Sequence, residues 1–217
     1  LVILKNKEEK MKKYAIVFTV LMVAMIVGIG IQISGCGSSG NLPVTTTTSS
    51  TVTTTPTSST SSTTGITIFS LTSSAFISGQ LIPNKYADTG SGIPGAANIS
   101  VPLSWSNPPE GTVGYALVML DTEHPLNPEV HWMVINIPSS VSSLAEGASP
   151  SSIPGDEIVH YEGPNPPETE THLYTFNLWA LREPLDTASI TGDWDNFSSA
   201  ISSVFIETTS LIGTFVW

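Results

Sequence analysis

Cysteine is almost absent from this chain: among 217 residues only Cys36 carries a thiol. No disulfide can form within it, so whatever folds must rely on its apolar core. Basic residues are nearly as scarce. Five of the seven Lys and Arg precede Cys36, and only Lys85 and Arg182 follow it, against sixteen Asp and Glu, a formal charge of −14 beyond that cysteine. Nucleic acids and anionic lipid surfaces are held by clustered Lys and Arg, and so acidic a segment repels them over long range. Nucleic-acid binding is excluded. There is no internal repeat. No G-x-S-x-G elbow occurs either, and the "GSG" at 90–92 lies in a loop without the strand–turn–helix setting that such a nucleophile needs.

What is present begins with an export signal over residues 1–36. A basic "MKK" at 11–13 leads into an uncharged run from Tyr14 to Ile33, and "ISGC" ends in Cys36. A charged start, an apolar stretch and a small-residue exit are the parts of a secretory signal. The ending resembles a prokaryotic lipobox, in which Cys36 would be lipidated as the first mature residue. The run is also long enough to remain as an uncleaved transmembrane anchor. On either reading the rest of the chain is expected outside the cytoplasm, tethered at the cell envelope. Residues 1–10 read as an upstream translation start or a cytoplasmic stub. From Thr45 to Thr64, eighteen of twenty residues are Ser or Thr. With no apolar periodicity to offset ordering entropy, residues 37–65 are expected to form a flexible stalk of a composition open to O-glycosylation.

Residues 66–217 suit one domain, read as mostly β. "GITIFSLTSSAF" alternates as a strand, and the Gly-, Pro- and Asn-rich "ISGQLIPNKYADTGSGIPGAANIS" reads as a long surface excursion. "PLSWS" is a short strand. "VGYALVMLD" and "HWMVINIP" are unbroken apolar runs, expected as strands buried on both faces, and "THLYTFNLWAL" as another buried strand. A helix is expected only near the end. There Trp194, Phe197, Ile201 and Val204 recur at steps of three and four behind Asp193, a suitable N-cap. "ETTSLIGTFVW" closes as a strand. The sum is a β-sandwich with one late helix.

Two polar clusters interrupt this apolar pattern. If the two central runs pair antiparallel, Asp121 and His131 stand side by side at the hairpin neck, and the carboxylate would orient the imidazole. "GPNPPETETHLY" is a proline-stiffened loop that delivers His172 and Tyr174 to one face of the next strand. With Gly163 and nearby amides left free, the donors would line a small anion pocket. Binding to imidazoles there should weaken as pH rises. An ordinary polar rim would leave the same pattern.

The "D-x-[DE]-x-P" at Asp121, Glu123 and Pro125, the "HW" at His131 and Trp132, and the "GPxPP…HxY" block together resemble the phosphatidylethanolamine-binding protein family. The prokaryotic, Raf-kinase-inhibitor-like branch is the most similar, over nearly all of the domain. The resemblance implies a large antiparallel sheet, a smaller sheet, a C-terminal helix and a pocket for phosphate-like or carboxylate groups. That pocket would comprise Asp121, Glu123, Pro125, His131, Pro167, His172 and Tyr174, to which the reading of the loop above adds Gly163. The resemblance implies no enzyme activity, cofactor or metal, and some members inhibit kinases or serine proteases. The usual "DPDAP" reads Asp121-Thr122-Glu123-His124-Pro125 here, with a longer carboxylate and an additional imidazole.

Three other functions stay open on residues alone. In a hydrolase, Ser104 or Ser106 would approach the Asp–His pair. In a metal site, His124, His131 and His172 would join Asp121 or Glu123. An interaction module that inhibits another exported protein would need no small ligand.

Overall fold

In the computed structural model, which describes residues 67–123 and 128–217, the two unbroken apolar runs lie side by side within a six-stranded sheet. They form β4 (Gly114–Asp121) and β5 (Glu129–Pro138), paired antiparallel. On the other side of β4 runs β8 (Thr171–Leu181), followed by β9 (Phe205–Val216), again antiparallel. The short β7 (Asp156–Val159) forms one edge beside β5, and β2 (Gln80–Leu81) pairs parallel to β9 at the other. A second sheet contains β1 (Ser70–Thr72), β3 (Leu103–Ser106) and β6 (Ser143–Leu144), with β3 in the middle.

The unbroken hydrophobicity of β4 follows from what covers it. Every residue from Gly114 to Asp121 is buried. On one face Tyr115, Leu117 and Met119 share a core with Leu71, Leu103 and Trp105 of the small sheet. On the other, Ala116, Val118 and Leu120 pack with Phe197 and Ile201 of helix α1 (Trp194–Ile201). A strand covered on both faces has no reason to alternate. Fully burying a side chain such as Phe197 is worth about 1.5–3 kcal/mol, which is how a two-turn helix stays docked. Asp193 begins it, its carboxylate accepting the Asn196 N–H at 3.1 Å. Among the described residues the fold is therefore the expected one: mostly β, two sheets and an α-helix near the C-terminus.

Two local expectations need correction. The first strand is shorter than its alternation suggests, because Ser73 intervenes. Its hydroxyl donates to the Pro102 carbonyl at 2.6 Å and accepts the Ala75 N–H at 3.0 Å. Such local bonding competes with a sheet ladder and turns the chain. The long excursion is also not confined to the surface. Ile82, Tyr86 and Ala87 are buried in the core between the sheets, and the Tyr86 hydroxyl donates to Glu146 at 2.6 Å. Its Gly and Pro content marked turns correctly, but a few apolar residues among them were enough to anchor it.

Register shifts twice along the β4–β5 pair, once between Tyr115 and Leu117 and again between Met119 and Leu120. Met119 faces Trp132, but Leu120 faces Val130 and Asp121 faces Glu129, so β5 holds one extra residue there, His131. A bulge of this kind bends a strand and re-aims a side chain. It is what brings the His131 ring onto the same face as Trp132.

Candidate functional site

Three neighbouring strands present the polar residues at one end of the large sheet. Asp121 ends β4, His131 occupies the bulge of β5, and His172 and Tyr174 begin β8 two residues apart. Tyr174 lies directly opposite Asp121 in the register. The His131 and Tyr174 rings meet edge to face, centroids 5.2 Å apart and planes at 85°. All four residues are buried: taken whole, Asp121 is 3%, His131 and His172 are 6%, and Tyr174 is 0% exposed. They form a single row on the face that packs toward the small sheet, rather than two facing walls.

Their partners differ from the expected ones. Asp121 does not orient His131. Its Oδ2 lies 2.6 Å from His172 Nδ1, while its Oδ1 accepts the Glu123 N–H at 2.9 Å. The physical reason is the register: two one-residue shifts along β5 together put Glu129, not His131, across from Asp121. His131 instead directs Nδ1 at the Glu162 carbonyl, 2.9 Å away. A carbonyl only accepts, so Nδ1 carries the hydrogen. Nε2 then accepts when bare and donates when protonated. This Nε2 is buried with no hydrogen-bond partner among the described residues, and the same is true of the Tyr174 hydroxyl.

Electrostatics sharpen these roles. Burial alone would lower the His172 imidazole, but hydrogen bonds from Asp121 and then Glu170 outweigh it and hold the group above its ordinary value of 6.5. Burial first, and the Asp121 charge second, push the Tyr174 phenol far above its usual range, so it stays a protonated donor.

Gly163 also departs from expectation. Its amide is not free, because it donates to Asn98 Oδ1 at 2.7 Å. Its role is steric: a Cβ there would stand 2.0 Å from the Tyr86 carbonyl oxygen and 2.6 Å from backbone atoms of Ala87 and Asp88. Pro167 is exposed, and its carbonyl accepts the Glu170 N–H at 3.1 Å, so it shapes the turn before His172. Glu123 contributes its backbone to Asp121 and leaves its side chain exposed. Pro125, His124 and Cys36 lie outside the described residues.

Three contributors escaped the sequence. The Glu162 carbonyl and Asn98 carry no signal of their own. Glu170 did stand in the acidic "PETETH" that reads as a solvated rim; its carboxylate lies 3.2 Å from His172 Nε2. Ser104 and Ser106, the proposed nucleophiles, are exposed on the outer side of β3, where the Ser106 hydroxyl meets that of Ser70 at 2.9 Å. They face away from the imidazoles. Among the described residues no group of three or more His, Cys, Asp or Glu is arranged to hold a metal ion, and no helix is long and apolar enough to cross a membrane.

Comparison with known proteins places this architecture. The UPF0098 protein of Mycobacterium tuberculosis (strain H37Rv) is 35% identical over 153 residues, covering 68% of this chain and 70% of the relative. A UPF0098 protein of Chlamydia trachomatis is 34% identical over 154 residues, covering 67% of this chain and 97% of its own. Among solved structures, YbcL of E. coli, described as a member of the mammalian PEBP family, superposes with a TM-score of 0.63. It is 24% identical and covers 69% of this chain and 98% of its own. The Chlamydia trachomatis homologue CT736, a putative phosphatidylethanolamine-binding protein, gives 0.58 at 30% identity, covering 69% and 97%. The family model for phosphatidylethanolamine-binding proteins matches residues 72–216. Two sheets, one late helix, the row of Asp121, His131, His172 and Tyr174, and this match together place the chain in the phosphatidylethanolamine-binding protein family.

Proposed function

We propose that the domain binds a small anionic group, a phosphate or phospho-headgroup, at the row formed by His131, His172 and Tyr174. One observation carries this reading: His131 Nε2 and the Tyr174 hydroxyl are buried, adjacent and unpartnered among the described residues. An unsatisfied buried polar atom costs about 1–3 kcal/mol, so native proteins rarely keep two together without something to meet them. An anionic oxygen between a phenol and a protonated imidazole satisfies both. Asp121 then acts as a positioning residue that holds His172 in place. Because the domain is strongly acidic, the anion gains nothing from the long-range field and relies on these local donors.

Tyr174→Phe tests this sharply. The hydroxyl has no hydrogen-bond partner among the described residues, so its removal is expected to leave the thermal midpoint unchanged or slightly higher. Calorimetric titration with inorganic phosphate and with phosphoethanolamine should show binding in wild type, and about ten- to a hundredfold weaker binding in Tyr174→Phe, the worth of one hydrogen bond to a charged group. His131→Ala should abolish it. Equal affinity in all three proteins would sink the reading. An intact fold that binds neither probe would favour a module that acts directly on another protein, such as inhibition of a kinase or protease.

The same reading places the domain outside the cytoplasm, tethered through Cys36. What supports it is the uncharged run ending in "ISGC". In the native host Cys36→Ser is expected to leave the protein unlipidated and uncleaved at that position. If mass spectrometry of wild type still finds residues 14–33, the anchor is the apolar run itself and lipidation is not involved.

A further inference from the structure

The two imidazoles of the site are built alike. Each has its inner nitrogen anchored, His131 Nδ1 on the Glu162 carbonyl and His172 Nδ1 on Asp121. Each also turns its outer nitrogen toward a glutamate: His131 Nε2 lies 3.6 Å from Glu129 Oε2, and His172 Nε2 lies 3.2 Å from Glu170 Oε2. Only the second is a hydrogen bond.

Packing does not hold Glu170 in that position, since its side chain is 59% exposed. The backbone does. Thr169 adopts φ 70°, and the Glu170 N–H closes a turn onto the Pro167 carbonyl. A β-branched residue in the left-handed region is a true outlier, and such strain persists only where the surroundings impose it. The loop is set to fold one carboxylate back onto a buried imidazole.

That contact is chemically the one an anionic ligand would make. We propose that Glu170 is an internal, displaceable occupant of the anion site, resting on the reading above, and that it sets which anions can enter. Tethered two residues from His172, its carboxylate competes at a high effective concentration. A small monocarboxylate offers His172 nothing that Glu170 does not already supply. A phosphate group has further oxygens, which reach His131 Nε2 and the Tyr174 hydroxyl at the same time, contacts that Glu170 does not make. The site therefore discriminates by the number of donors a ligand can satisfy together.

The experiment titrates inorganic phosphate into wild type, Glu170→Ala and Glu168→Ala, with ring resonances of His172 followed by NMR. Glu168→Ala removes the same charge from the same loop, two residues away. Glu170→Ala is expected to bind phosphate about tenfold tighter, the factor that losing a modest charge-assisted competitor corresponds to, with Glu168→Ala close to wild type. The His172 resonances should shift in Glu170→Ala before any ligand is added. Phosphate binding by Glu170→Ala where wild type shows none would support the proposal equally. Binding by wild type with no gain in Glu170→Ala overturns the competitor role alone. So does an equal gain in Glu168→Ala, or unmoved His172 resonances. Absence of phosphate binding in every variant overturns the anion site and this inference with it.

Discussion

Replacing Gly163 with alanine is expected to be among the most destabilising single changes in the domain, about 3 kcal/mol or more. The added Cβ would lie 2.0 Å from the Tyr86 carbonyl oxygen, 2.6 Å from the Ala87 carbonyl carbon and 2.6 Å from the Asp88 nitrogen. All three are backbone atoms, so no side chain can swing away. Overpacking alone costs about 1–3 kcal/mol, and the segments must separate further than a methyl group usually demands. Separation also breaks bonds that depend on the approach: Gly163 N–H to Asn98, Asp88 N–H to the Pro164 carbonyl, and the Tyr161 hydroxyl to that same Tyr86 carbonyl. Function is reached by the same route. Glu162, adjacent in the chain, supplies the carbonyl that holds His131, and Tyr161 packs edge to face on Trp132 at 5.5 Å. Urea unfolding of Gly163→Ala should show a much lower midpoint with an unchanged slope. A loss below about 1 kcal/mol, no more than an average point substitution costs, would mean that the two segments part without penalty. Gly79→Ala is the control: its Cβ would meet nothing within 4 Å, and only its positive φ of 84° opposes the change.

Asp121→Ala carries the second large expected effect, about 3–5 kcal/mol, because it removes one partner of a buried ion pair and leaves the other without its compensation. The His172 and Asp121 side chains are 8% and 4% exposed, with 2.6 Å between Nδ1 and Oδ2. The effect has a pH signature. His172 is held above its ordinary 6.5 in the folded state, against burial, by Asp121 and Glu170. A raised value means that the folded state binds the proton more tightly than the unfolded chain. The stabilisation is therefore complete below about 6.5 and is lost as pH rises through the higher folded-state value. Wild type should lose stability across that window. Asp121→Ala should start lower and change less, with Glu170 alone remaining on His172. Parallel urea titrations at several pH values check this. Identical pH dependence in the two proteins would show that the pair does not carry the linkage.

How much of this was legible in the sequence differs between the fold and the site. The apolar runs of β4 and β5 announced strands covered on both faces. The steps of three and four at Trp194, Phe197 and Ile201 announced the helix, and Asp193 its start. These are local quantities, determined by which residues follow one another, and tertiary packing had only to agree with them. Asp121, His131, His172 and Tyr174 lie near one another on one face, as strand ends and a two-residue period lead one to expect.

Which of them touch was decided elsewhere. Two extra residues in β5, one of them His131, moved Glu129 opposite Asp121, and the carboxylate meets His172 instead. Antiparallel pairing has a side-chain period of two, so a slip of one residue exchanges faces and partners, and nothing in an unbroken apolar run marks where a slip falls. The partners of His131 and Gly163 are a backbone carbonyl 31 positions away and an asparagine 65 positions away. Backbone carbonyls are the same at every residue and leave no trace in composition. Glu170 looked like any solvated glutamate until Thr169 turned the chain back on itself. The sequence alone determined the layers, the helix and which polar residues gather at one end of the large sheet. The tertiary structure decided the bonding within it, because bonding depends on register and loop closure, which belong to the whole chain.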